Sequence, residues 1–312
     1  MNREKKLIII DSNSVVHRAF HALPPLTTKN GELINAVYGF LLVFLKVVSQ
    51  FQPDYLAATF DLPGPTFRHQ KFKEYKIKRP PTPEGIKEQL PKLKEILTFF
   101  NIPIFEKPGF EADDIIATIV SQVIKKSKDL EIIILTGDTD SLCLVNPQTA
   151  VYLLKKGVKD VILYNQEKIK EKYQLSPEQL VDFKALKGDP TDNVPGIAGI
   201  GEKTALKLIK EFGSLENLYN KIESETNLSL DKKLLEKLRE NKEKAFLSKS
   251  LVELENNVDI DFDLNQCLWK KFDKEKAIEV LKKYQFNSLI EKIKNIGFEK
   301  KIEKEIKTKT LF

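Results

Sequence analysis

The stretch EIIILTGDTD, Glu131–Asp140, decides the fold. Three isoleucines and a leucine run without interruption into a Thr-Gly turn, and two aspartates follow at once, Asp138 and Asp140. A short unbroken apolar run closed by glycine reads as a strand buried on both faces, the type found in parallel sheets. The same order recurs upstream, in LIIID (Leu7–Asp11) and in YLAATFD (Tyr55–Asp61). Each time an acid follows the strand at its carboxyl end.

Helical patterns fill the spaces between these runs. One covers Ala36–Ser49 and another about Pro91–Phe100, ahead of the short strand PIFE. A third, Ala112–Lys125, carries a stripe of Ile115, Ile116, Ile119, Val120, Val123 and Ile124. With VYLL (Val151–Leu154) the pattern predicts an α/β fold, a mostly parallel central sheet with helices on both faces. Ligands of such sheets bind beyond the carboxyl ends of the strands, where Asp11, Asp61 and Asp138 fall.

Two more acidic clusters complete the set: Glu111, Asp113 and Asp114 in FEADDIIATIV, and Asp189 and Asp192 in KGDPTDN. Taken singly, each cluster has a structural reading as a helix cap, a first-turn acid or a turn residue. Taken together, nine carboxylates converging on one sheet edge repel one another unless cations sit among them. Oxygen donors without His or Cys select Mg²⁺ or Mn²⁺ over Zn²⁺. The surplus of ligands suits two ions about 4 Å apart, the spacing that clamps both oxygens of a phosphoryl displacement.

The rest of the chain is basic, with 51 Lys+Arg against 45 Asp+Glu and a net charge of +6. An acidic centre in a basic protein fits a polyanionic substrate, although a lysine-rich solubilising surface gives the same balance. At 41% hydrophobic and 31% charged, the 312 residues describe a folded chain with an ample core rather than a disordered one. Cys143 and Cys267 form no zinc or disulfide pattern, which fits a reducing cytoplasm. The longest apolar stretch, Ala36–Leu45, is about half a membrane span, and no targeting segment is expected.

Between Pro63 and Pro91 the α/β pattern breaks. Arg68, Lys76 and Arg79 alternate with Phe72 and Tyr75 among several prolines. The expectation is an insertion projecting from the catalytic edge, its cations on phosphates and its rings on bases. The alternative is a solvated loop whose rings pack back on the core. After about Tyr173 the chain reads as helical to about Lys294. Ser176-Pro177-Glu178-Gln179 opens one helix and Gly213 stops the next. Between them GIAGIGEKT (196–204) misses a Walker phosphate loop by the one residue Glu202, and it follows a helix, not a strand. We read it as a hairpin that lets Gly199, Ile200, Gly201, Lys203 and Thr204 meet a phosphate backbone. An ordinary helix–turn–helix corner is the other reading.

These motifs together resemble the 5′ nuclease family, closest to the 5′→3′ exonuclease region of bacterial DNA polymerase I, with phage 5′ exonucleases and flap endonucleases as relatives. IIIDSNSVVHRAFHALPPL, FDLPGPTFRHQKFKEYKIKRPPTP, GFEADDIIATIV, LTGDTDSLCLV and ALKGDPTDNVPGIAGIGEKTALKLIKEFGSLENLY carry the resemblance, which spans about 7–293. It implies a PIN-like or resolvase-like core over 1–174 with a helical arch insertion at about 64–92. It further implies a helical DNA-binding region over 175–294 with a helix-3-turn-helix at about 176–213, and a charged tail over 295–312.

By the same resemblance Asp11, Asp61, Glu111 and Asp113 bind a first ion. Asp138, Asp140, Asp189 and Asp192 form the second group, with Asp113 or Asp114 between. Arg18, Lys76 and Arg79 contact the scissile or 5′-terminal phosphate, and Tyr75 stacks a base. The hairpin holds K⁺ in relatives. The implied activity is Mg²⁺-dependent 5′→3′ exonuclease and 5′-flap cleavage of branched or nicked duplex DNA, with RNA primers as further substrates. The setting would be replication and repair, by a monomer at the bacterial nucleoid in the cytoplasm. In polymerase I a polymerase module follows this region, so a free-standing enzyme and an excised domain both fit. Rival readings are a non-catalytic binder of branched DNA and a smaller PIN-type ribonuclease, which lacks the GDPTDN loop and hairpin. The terminal Leu311-Phe312 has the form of a sliding-clamp peptide, with a chance apolar end as the alternative.

Overall fold

The strands first identified in the sequence lie side by side in one six-stranded sheet. The computed structural model describes residues 4–224, 230–269 and 273–294; the terminal Leu-Phe lies outside the described residues. In chain order the first elements are β1 (Lys5–Asp11), α1 (Ser12–Ala22), α2 (Asn35–Phe51) and β2 (Tyr55–Thr59). Short α3 (Phe67–Lys71) and α4 (Glu84–Lys87) precede α5 (Leu90–Phe99), β3 (Ile104–Phe105), α6 (Ala112–Lys126) and β4 (Leu130–Thr136). Then come β5 (Thr149–Leu154), β6 (Val161–Tyr164), α7 (Gln166–Tyr173) and α8 (Gln179–Lys187). The remainder is helical: α9 (Glu202–Phe212), α10 (Leu215–Ser224), α11 (Lys232–Glu240), α12 (Lys242–Val252), α13 (Lys274–Lys283) and α14 (Asn287–Lys294).

The strand order is β3-β2-β1-β4-β5-β6. Neighbours pair in parallel except β6, which turns back antiparallel on β5 as an edge strand absent from the sequence reading. Successive residues of each strand serve opposite faces. Ile8, Ile10, Leu56, Ala58, Ile133 and Leu135 belong to the core beneath α2 and α5. Leu7, Ile9, Ala57, Ile132 and Ile134 belong to the core beneath α6. Both cores are fully enclosed, which is why these strands carry no polar alternation.

The second half divides into two parts. Helices α8 to α12 form a layer in which α8 packs on both α9 and α12. The chain beyond returns to the sheet. Leu268 bridges to Tyr55, and Trp269 packs edge-on against Phe44 at 5.6 Å. α13 then contacts α5, and α14 contacts α2. The helical region expected over 175–294 is therefore split, its last two helices completing the core of the first domain. Their apolar faces looked in sequence like those of any amphipathic helix, and periodicity does not say which surface they cover.

The insertion does not project. Gln89, fully buried, accepts hydrogen bonds from Ala36 N (2.8 Å) and Val37 N (3.2 Å), capping a helix that has no side-chain cap of its own. Lys76 N donates to Asp192 O (2.8 Å), and Asn193 Nδ2 donates to Glu74 O (2.8 Å), so the insertion and the GDPTDN loop interlock. It is a strap laid across the carboxyl edge of the sheet.

Candidate active site

Beyond β1, β2 and β4 a cavity of about 580 Å³ opens under the strap. Asp11, Asp61, Glu111, Asp113, Asp138, Asp140 and Asp192 all line it. Asp11 ends β1 and caps α1, accepting from Ser14 N (3.1 Å) and Thr136 Oγ1 (2.6 Å). Asp61 accepts from Ala112 N (2.8 Å) at the start of α6. Asp113 accepts from Ser141 Oγ (3.0 Å), and Asp138 accepts from Asp140 N (3.0 Å). The turn after β4 needs Gly137, where a Cβ would stand 2.7 Å from Arg18 Cγ and 2.9 Å from Ser14 Oγ.

The electrostatics follow from the crowding. Burial pushes the Asp11 carboxyl up to about 7, assisted by Asp61 and Asp138. Burial and Asp140 push Asp138 to about 6. Burial raises Asp113 well above the carboxylate range, with Asp11, Asp138 and Asp140 adding to it. Burial also raises Asp61, whose hydrogen bond from Ala112 opposes the shift. Asp140 goes the other way: burial would raise it, but Lys184 more than offsets that and holds it low.

Basic side chains stand among the acids as counterions. Lys76 Nζ reaches Glu111 (2.6 Å) and Asp192 (3.8 Å), from a backbone with φ of 57°. Arg79 Nε donates to Asp192 (2.8 Å). Lys184 bridges Asp140 and Asp189, the latter at 3.4 Å. Asp189 lies outside the cavity wall and joins the cluster through this lysine. Among the described residues, no three acidic, His or Cys side chains as they stand enclose a cation. The donor set nonetheless fits a hard divalent ion, being carboxylate oxygen throughout, with its strongest mutual repulsion around Asp113.

Lys184 escaped the sequence reading. In DFKALKGD it resembles a solvent-facing lysine, yet it sits four residues after buried Leu180, on the inward face of α8. Asn13, which accepts from Asp61 N (3.1 Å), escaped as well.

Four residues assigned to metal or DNA do something else. Asp114 is fully buried and bidentate with Arg68, at 2.7 Å to each nitrogen, and also accepts from Glu111 N (3.0 Å) and Glu255 N (2.9 Å). No lone pair remains for an ion. Arg68, 1% exposed, spends its other bonds on Leu251 O (2.8 Å) and Glu253 O (2.9 Å), and so cannot reach DNA. Tyr75 is 3% exposed, with its ring in a small core with Val194 and Leu251, against which Phe72 packs. Its hydroxyl shares its one proton between Glu111 (3.3 Å) and Asp192 (3.4 Å), and its ring, packed in that core with His69 edge-on, is not presented to a base. Ile200 is buried with Ile197 under the hairpin.

The rest of the hairpin is open. Gly199, Gly201 and Lys203 are exposed and Thr204 is half-buried at the start of α9. Gly196 has φ of 57°, and a Cβ there would meet Gly188 N at 2.4 Å, so only glycine closes the GDPTDN loop. The Lys237 ammonium lies 2.5 Å from where a Gly199 Cβ would be. The Arg18 guanidinium, at the cavity lip, donates to Gly137 O and Lys155 O, both at 2.8 Å. Burial lowers the His17 imidazole, as do His21 and Arg79 beside it.

Two predictions follow from these contacts. Arg68→Ala leaves Asp114 buried and unpaired and is expected to cost about 3–5 kcal/mol in urea unfolding; an unchanged midpoint with weakened DNA binding would restore Arg68 to the DNA surface. The raised carboxyls work against folding as they ionise. Asp11 and Asp138, with folded values of about 7 and about 6, lie above the ordinary value of about 3.9. The folded state therefore holds more protons, and this contribution to stability falls as pH rises towards 7. Asp113→Asn is accordingly expected to raise Tm in EDTA, more at pH 8 than at pH 5, whereas a lower Tm at pH 8 would show that the buried charge is already compensated.

Residues 6–174 match the family profile of the 5′-3′ exonuclease N-terminal resolvase-like domain, and residues 175–275 match that of the 5′-3′ exonuclease C-terminal SAM fold. The chain is 40% identical over 292 residues to DNA polymerase I of Bacillus caldotenax, an alignment covering 94% of this chain and 33% of that protein. It is 42% identical over 292 residues to DNA polymerase I of Caldicellulosiruptor bescii, covering 92% and 33%. It thus spans about a third of the length of these curated relatives. Among solved structures, the fold is similar to T5 D15 protein co-crystallised with metal ions, with a TM-score of 0.67 at 20% identity over 94% of this chain and 98% of that one. It is also similar to the catalytic core of Rad2 in complex with DNA substrate, with a TM-score of 0.62 at 19% identity over 94% and 93%. With residues 6–275 matched by its two family profiles, the chain belongs to the 5′-3′ exonuclease family.

Proposed function

We propose that the chain is a divalent-metal-dependent 5′→3′ exonuclease and 5′-flap endonuclease, with Mg²⁺ as its ion. The observation that carries this is the ring of carboxylates at the carboxyl edge of a parallel sheet, under a basic strap and beside an exposed glycine hairpin. The T5 neighbour's metal ions and the Rad2 neighbour's DNA substrate support the reading.

The proposed ligands are Asp11, Asp61, Glu111, Asp113, Asp138, Asp140 and Asp192, with Asp189 behind Lys184 and Asp114 left out. Two divalent ions, when bound, supply the charge that makes a water nucleophilic and stabilises the departing oxygen. The chain's own residues do the rest. Thr136 and Ser14 hold Asp11 in orientation. Lys76 and Arg79 leave Glu111 and Asp192 and turn to the reacting phosphate, keeping the strap's charge where negative charge develops. Gly199, Gly201, Lys203 and Thr204 carry the duplex backbone, with no reading of sequence. Branched or nicked duplex DNA with a 5′ single-stranded end, and RNA primers annealed to DNA, are the proposed substrates. The proposed setting is lagging-strand processing and repair at the bacterial nucleoid, by a monomer. Among the described residues no helix is long and apolar enough to cross a membrane.

A 5′-labelled flap duplex tests the reading. Wild type with Mg²⁺ is expected to cut near the branch, EDTA to stop cutting, and Asp138→Ala to lower kcat by about 10³-fold or more. Flap binding without cutting by wild type would replace the enzyme with a scaffold for branched DNA.

A further inference from the structure

A second, smaller cavity lies where the sheet domain meets the helical layer. It measures about 100 Å³ and shares Asp140 and Val252 with the acidic cavity. Its walls are the short turn Asp140–Leu144 after β4, helix α8, and Val252 at the end of α12. Lys184 of α8 pairs with Asp140 and so ties the helix to the turn at one side. Leu142, Leu180 and Phe183 line the cavity and belong to the core beneath α6, so its floor is the core itself. Water gains little in such a place, because it needs two or more polar partners. Three charged side chains stand in the wall: Asp140, Lys184 and Lys187. The first two neutralise each other. Lys187 is half-buried, with its ammonium 5.1 Å from the centroid of the Phe183 ring, and among the described residues no carboxylate pairs with it. The cavity therefore joins an apolar floor to one surplus positive charge, with the exposed Thr139 adding a hydroxyl to its wall.

We propose that this cavity is a binding site for a small aromatic carboxylate, with its ring against Leu142, Leu180 and Phe183 and its carboxylate on Lys187. Each part of the ligand is set by the wall. A closed apolar cavity of about 150 Å³ takes up benzene. This one, at about 100 Å³, admits a single ring with its substituent left at the mouth. An aromatic ring suits the floor, because contact with the Phe183 ring adds to the gain from burial alone. A neutral ring would leave Lys187 without a partner, whereas a carboxylate gives it a charge-assisted hydrogen bond. The two lysines disfavour a cationic ring. Asp140 disfavours a second negative charge, so a carboxylate fits better than a phosphate monoester. Lys184 lines this cavity and not the acidic one, so a ligand here is separate from the reacting centre. The proposal requires neither metal nor DNA.

The test titrates the full chain in EDTA with benzoate and with benzyl alcohol, which has the same ring without the charge, and follows the methyl resonances by NMR. Benzoate is expected to shift the methyls of Leu142, Leu180 and Val252 saturably, and to bind about fivefold more tightly than benzyl alcohol, the scale of a partly exposed ion pair. Lys187→Gln is expected to remove that difference while benzyl alcohol still binds, which a loss of fold would not do. Val181→Trp, a larger side chain at another lining position of α8, is expected to abolish binding of both. Equal binding of the two compounds by wild type, a preference for benzoate that survives Lys187→Gln, or the absence of saturable shifts at these methyls would overturn the proposal. Cleavage plays no part in the readout, so the nuclease reading stands or falls separately.

Discussion

Everything at the active edge follows from the cost of gathering negative charge where a parallel sheet ends. Strand β1 and the turns after β2 and β4 deliver carboxylates to one place because all three strands point the same way. Burial then denies them water, so Asp11, Asp113 and Asp138 resist ionisation. The rest of the edge is arranged around that cost. Hydroxyls and backbone amides at Thr136, Ser14, Ser141 and Ala112 hold single oxygens in place. Lys76, Arg79 and Lys184 supply positive charge from two different elements, the strap and α8. A fold that stores this much repulsion is less stable than it need be, and the natural gain is affinity for cations.

A second ion pair, Arg68–Asp114, has no part in that chemistry and yet aligns it. It joins the strap to the first turn of α6 and to the chain leaving α12. Glu111 stands one residue before α6, with Arg68 at 3.5 Å and Lys76 at 2.6 Å. The strap, the helical layer and a proposed metal ligand are thus tied through one guanidinium. Such a pair costs much to desolvate, and its value lies in fixing a geometry that a purely apolar contact would leave loose.

The sheet and the acidic edge were legible because both rest on local signals. Unbroken apolar runs ending in an acid state the strand, its burial and the direction of its carboxyl end within ten residues, as Glu131–Asp140 shows. The same reading overreached where type was taken for environment. Asp114 differs from Asp113 by one position, which on a helix is a turn of about 100°, enough to aim one at the cavity and the other at Arg68. Arg68, Phe72 and Tyr75 looked like a nucleic-acid surface because basic and aromatic residues alternate. Only tertiary contact with Leu251 and Val194 shows that their apolar parts face inwards. Lys184, and the return of α13 and α14 to the sheet, carried no distinctive pattern, since each depends on a partner far away in sequence.

The central claim is that the acids at the sheet edge hold divalent ions in place of the basic side chains now among them. A crystal structure with Mn²⁺, located by its anomalous signal, tests this most directly. The account predicts ions bounded by Asp11, Glu111, Asp113 and Asp138, with Lys76 and Lys184 displaced from their carboxylates and the Arg68–Asp114 pair unmoved. Manganese bound at Asp114, or a cavity that excludes the ion at millimolar concentration while the lysines stay in place, would contradict it.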